Sequence, residues 1–114
     1  VKAISQITLN IKGRDWTFKL LTDKQFNKLH NKEDEGNTAM TIQSDYEVHF
    51  RKSDWSIATI RHELGHTLHM SSLVGSSDLT VSDTVELMCE IIGEHTDEIV
   101  LWSVRIAEKF INHS

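Results

Sequence analysis

Seven consecutive residues, Arg61-His62-Glu63-Leu64-Gly65-His66-Thr67, set two histidines around a glutamate in the pattern H-E-x-x-H. Around them Trp55, Ile57, Ala58, Ile60, Leu64, Leu68 and Met70 recur at helical steps, which predicts a buried central helix. Residues four apart share one face of a helix, so His62 and His66 can offer two imidazole nitrogens to one tetrahedral metal ion. Glu63 stands beside the pair, where a carboxylate can take a proton from a metal-bound water. The pattern therefore asks two things of the remaining chain: a sheet or helix to bury the other side of this helix, and a third ligand from elsewhere.

The remaining chain is short. Its 114 residues fit one domain, 1–114, with a core large enough to fold alone. An apolar fraction of 39% without any run of the roughly 18 residues needed for a span argues against a membrane protein. A net charge of -5 lacks the basic surface that neutralises phosphates, which argues against a nucleic-acid partner. Seven histidines are many for this length, and metal binding is one explanation. Cys89 is the single cysteine, so no intramolecular disulfide calls for an oxidising compartment. With no signal-peptide pattern visible from Val1 onward, the expected location is cytoplasmic rather than secreted, with an upstream segment missing as an open alternative.

Ahead of the motif, residues 3–11 and 16–21 alternate apolar and polar around Lys12-Gly13-Arg14-Asp15, predicting a hairpin with one buried face. Thr22 or Asp23 then caps a short helix running to about Asn31, with Phe26 and Leu29 toward the core and His30 outward. The polar stretch from Asn31 to Asn37 reads as a solvated loop. Residues 38–43 and 46–52 form a second alternating pair turning at Ser44-Asp45, by default a hairpin that completes the sheet; alternatively one of its strands lies at the sheet edge beside the cleft and pairs with an extended peptide. Ser53-Asp54 are the expected cap of the motif helix, and Gly65 within it suggests close approach by another backbone. A loop from Ser71 to Asp83 leads to a long helix over Val81–Ile111, bent at Gly93.

That last helix offers the third ligand. Glu86 lies 20 positions after His66, and Glu90 follows one turn later on the same face. If the two helices pack together, Glu86 completes a His-His-Glu set while Glu90 reaches the other nitrogen of His62 and orients it. Two alternatives stay open: the glutamates can exchange these roles, or Asp83 and Glu86 can form a capping box that occupies Glu86. His69 lies on roughly the same face as His62 and His66, but about 10 Å along the axis from His62, so it packs or touches substrate instead of sharing the ion. Ser72 occupies the place where a third motif histidine in the metzincin style would stand. Asp97 and Cys89 read as a solvated carboxylate and a buried thiol.

The pair His62-Glu63-Leu64-Gly65-His66 and Glu86-Leu87-Met88-Cys89-Glu90 resembles the gluzincin metallopeptidases, over roughly residues 53 to 95. The usual acidic partner four residues after the ligand glutamate is Asp, and here it is Glu90. The resemblance implies an α+β, zincin-like fold: a small, mostly antiparallel N-terminal sheet packed on an active-site helix, followed by a long C-terminal glutamate-bearing helix, in the minimal form called a minigluzincin. It implies Zn2+ on His62, His66 and Glu86, with Glu63 as general base and a peptide or protein as substrate. Larger members stabilise the oxyanion with a Tyr or His from a second lobe; the candidates here are Tyr46, His69 and His95. A compact site of this kind can also be slow, be completed by self-association, or be blocked by its own chain. The competing expectation is a zinc-stabilised protein-binding or regulatory domain with little proteolytic activity.

Overall fold

The computed structural model describes residues 2–30, 39–72 and 81–112. Strands β1 (Ser5–Ile11) and β2 (Arg14–Leu21) form the expected first hairpin, followed by helix α1 (Asp23–Leu29). Strands β3 (Ala39–Ile42) and β4 (Glu47–Arg51) make the second hairpin, and helices α2 (Ile57–Ser72) and α3 (Val81–Ile111) complete an α+β architecture. The sheet has the order β1-β2-β4-β3. Two of its pairings are antiparallel, as expected; the hairpins join through a parallel β2–β4 pairing that brings Phe18 beside Val48.

The turns explain the hairpins. Lys12 and Gly13 both take positive φ, 52° and 84°, as a two-residue type I′ turn requires, so the turn is shorter than the expected Lys12–Asp15 and Asp15 pairs with Asn10. Between β3 and β4 a 3-10 turn over Gln43–Asp45 ends on Tyr46 in the left-handed region. On α1, Thr22 is the cap, its hydroxyl accepting from the Gln25 backbone N–H while the Gln25 side chain accepts from the Thr22 N–H. The helix closes at Leu29, one turn-end sooner than the sequence suggests, and Leu29 is 46% exposed, so Phe26 alone faces inward.

Both faces of the sheet are covered. Trp16, Phe18 and Leu20 of β2 and Val48 and Phe50 of β4 pack against Ile60, Leu64 and Leu68 of α2 and Ile106 and Phe110 of α3 in one core. Alternate residues point the other way, where Leu21 and Phe26 are buried outside that core. Ser56 caps α2, in place of the expected Ser53-Asp54: its Oγ accepts from the Thr59 N–H, and Thr59 Oγ1 accepts from the Ser56 N–H. The expected start of the buried stripe is also shifted, since Ile57 and Ala58 are exposed. The reason expected for Gly65 has no counterpart among the described residues, where an added Cβ meets no heavy atom within 4 Å. In α3 the non-helical residue is His95, with φ -116° and ψ 16°, two positions beyond the bend expected at Gly93. None of the described helices is long and apolar enough to cross a membrane.

Candidate metal centre

Capped at Ser56 and buried along Ile60, Leu64 and Leu68, α2 turns Glu63 and His66 toward the sheet edge formed by β3, with His62 exposed one turn before His66. His62 is exposed and His66 half-buried, and their Nε2 atoms stand 3.1 Å apart with the rings at 79°. Two nitrogens sharing one tetrahedral ion through bonds of about 2.0–2.1 Å are roughly 3.3 Å apart, so this helix holds its histidines near ligand spacing. Glu63 is 8% exposed, and one ligand atom from each of His62, Glu63 and His66 lies within 4.8 Å of the others. Two imidazoles and a carboxylate at this spacing can hold a metal ion.

A buried carboxylate needs a hydrogen-bond donor. Thr41 of β3 supplies one, its Oγ1 donating to Glu63 Oε2. The register explains why: Ala39 and Thr41 face α2 beside Phe50 and Val48, whereas Met40 and Ile42 face away. Sequence reading missed Thr41, although a hydroxyl at an inward position of an alternating strand is the signal that finds such a residue. An open depression of about 270 Å³ lies between β3 and α2, lined by Ala39, Met40, Thr41, Glu63, His66 and Met70. β3 is the terminal strand of the sheet, so the strand expected at the edge beside the cleft is this one.

The other His, Asp and Glu candidates do not join this group among the described residues. Glu86 and Glu90 are exposed on the first half of α3, and neither belongs to the group of converging ligand atoms found among the described residues. The capping box expected from Asp83 and Glu86 rests on the side chain of Asp83, which lies outside the described residues. Tyr46 packs edge-on against Trp16 and its hydroxyl accepts from Arg14 Nη1 at 2.8 Å. His69 is half-buried, with Nε2 lacking a hydrogen-bond partner among the described residues. His95, at the break in α3, has Nδ1 2.9 Å from Glu98 Oε1, and Asp97 is exposed. The loop expected over Asn31–Asn37 and the side chain of Cys89 lie outside the described residues.

The chain matches no family model, no curated protein and no solved structure.

Proposed function

We propose that the protein is a zinc-dependent endopeptidase of gluzincin type, acting on extended peptide segments. The observation that carries this reading is the burial of Glu63 beside the His62–His66 nitrogen pair, with Thr41 holding one of its oxygens. The donor set fits a divalent ion that accepts imidazole, and zinc is the common one in this motif. When bound, zinc supplies an acidified water and polarises the scissile carbonyl. His62 and His66 hold the ion; in this reading Glu86 is the third ligand and Glu90 orients His62.

Thr41 engages Glu63 Oε2, which leaves Oε1 to accept a proton and then return it to the leaving amine. Glu63 is buried where Ala39 and Thr41 of β3 and Met70 of α2 line the depression, which limits the water that reaches its carboxylate. The outer edge of β3 carries backbone groups beside the depression, and an extended peptide pairing there by main-chain hydrogen bonds explains a preference for strand-like substrates. The Tyr46 hydroxyl is engaged by Arg14, whereas Nε2 of His69 and of His95 has no hydrogen-bond partner among the described residues, so the two histidines are the oxyanion candidates favoured in this reading.

A second reading has its own support. Glu63 converges with the two histidines while Glu86 does not, which suits a metal-stabilised binding domain in which Glu63 is itself a ligand. Two variants separate the readings, with bound metal and cleavage of a peptide library measured together. In the peptidase, Glu63→Gln keeps its zinc and loses cleavage, whereas Glu86→Ala weakens zinc binding. Loss of zinc in Glu63→Gln together with unchanged affinity in Glu86→Ala would falsify the peptidase assignment and establish the binding domain.

A further inference from the structure

The face of the sheet turned away from α2 carries a second convergence of histidines. β4 sends Val48 and Phe50 into the main core, and the strand alternation sends Glu47 and His49 to the opposite side. There α1 ends, and His30 follows it with φ -120° and ψ 145° while its backbone N–H still bonds Phe26 O at 2.9 Å. This exit turns the His30 ring inward against Phe26 and His49, at centroid distances of 4.6 and 5.2 Å. His30 Nε2 comes to 3.1 Å from His49 Nδ1. Behind it, His49 Nε2 is 3.0 Å from Glu47 Oε1, and Lys19 Nζ holds the same carboxylate at 2.9 Å. His49 is 6% exposed, and the cluster opens on a depression of about 340 Å³ that Ile42 and Asp45 also line.

We propose that His30 and His49 form a second metal site, for one divalent transition ion that prefers imidazole, on the face of the sheet opposite the His62–His66 pair. The nitrogen separation equals that of His62 and His66, 3.1 Å in both pairs. A ligand histidine characteristically donates its other ring N–H to a carboxylate, which fixes its tautomer, and Glu47 occupies that position behind His49. With Nε2–H given to Glu47, Nδ1 of His49 carries a lone pair aimed at His30. In the metal-free protein the His30 Nε2–H fills the space between the rings; when the ion replaces it, His30 takes the Nδ1–H tautomer by exchange with solvent, so its ring stays neutral and Nε2 offers a lone pair. Two nitrogen donors select zinc, nickel or copper over magnesium or calcium, and the depression beside Asp45 admits the water that fills the remaining positions.

The test uses the full chain with the other pair removed, His62→Ala/His66→Ala, titrated with Zn2+ by calorimetry. One ion per chain is expected, with imidazole 15N shifts of His30 and His49 moving as zinc is added. Glu47→Gln in this background weakens binding about tenfold, as loss of a carboxylate behind a ligand histidine does. His30→Ala abolishes binding, and its amide spectrum shows whether the fold survives. Absence of both bound zinc and 15N shifts in the His62→Ala/His66→Ala chain overturns the proposal without recourse to any His49 variant. Retention of that one ion in a chain whose wild type binds no second ion sinks the centre on α2 and leaves this site standing.

Discussion

Histidines converge on both faces of one sheet, but they arrive by different routes. On the α2 face, His62 and His66 are one helical turn apart, His62 exposed and His66 half-buried, with the Glu63 carboxylate buried beside them. On the α1 face, His30 and His49 come from separate elements 19 residues apart, and the inner ring is packed away with Glu47 and Lys19 behind it. The first arrangement needs only a helix, so its metal chemistry rests on what surrounds Glu63. The second needs the whole sheet, so its geometry is as rigid as the strands that carry it. An open pair beside an edge strand suits a reacting peptide; an enclosed pair braced by an ion pair suits a stable ligand.

The sharpest way to break this comparison is Glu63→Gln. In the proposed peptidase, loss of its general base lowers peptide cleavage by about a thousandfold. The variant leaves the spectrum of the His30–His49 cluster unchanged, and a fall in zinc uptake at that cluster would show that the two faces are not independent. Next comes Thr41→Val, which leaves the buried Glu63 oxygen without its donor at a cost of about 2 kcal/mol; denaturant unfolding checks the stability, and the cleavage rate checks the positioning. Ser56→Ala removes the α2 cap and lowers stability by about 1 kcal/mol, read as a shift in denaturation midpoint. An effect near zero would mean that the sheet, and not the cap, fixes where α2 begins.

The smallest effect belongs to the other face and depends on pH. Burial alone raises the Glu47 carboxyl, but hydrogen bonds from His49 and Lys19 and their charges outweigh it, so its pKa lies below the ordinary 4.5. A carboxylate depressed in the folded state stabilises the fold above its unfolded value and loses that contribution as pH falls through the folded one. In chelator-treated protein, wild type is therefore more stable than Glu47→Gln by about 1 kcal/mol or less at neutral pH, and the gap closes in acid below about pH 4.5. A gap that persists at the lowest pH would assign the loss to packing instead of charge.

How much of this was legible in the sequence follows the same division. The α2 histidines stand out because their spacing is local and its period is that of a helix. The strands were equally legible, since alternation fixes which residues share a face, but which strand of the second hairpin lies at the edge was not. Alternation does not say which strand lies beside which, so the parallel β2–β4 pairing was hidden. His30 was misplaced for a sharper reason: a helix running to Asn31 puts it outward, while a helix ending at Leu29 leaves it extended and turned inward. His49 looked like one polar residue in an alternating run, and only His30 gives it a partner. Ser56 was passed over for Ser53-Asp54 because all are good caps and only the closing of the turn after Arg51 chooses between them. For Glu86 and Glu90, helical phase gives a shared face but does not bring that face to α2.

The parallel pairing also sets an order in time. Thr17 meets Glu47 across 30 residues of chain, a loop whose closure costs about 3 kcal/mol of entropy before any strand contact rewards it. His62 and His66 need only a helical turn, which forms within about a microsecond. If both proposed sites take metal, a chain folding in its presence can meet an ion on α2 while β2 and β4 are still apart, and the ligand of the late-assembled face arrives last. An ion held by the early pair before the sheet closes would share part of its binding energy with the unfolded chain, so metal there would raise the final stability by less than the same affinity on the other face.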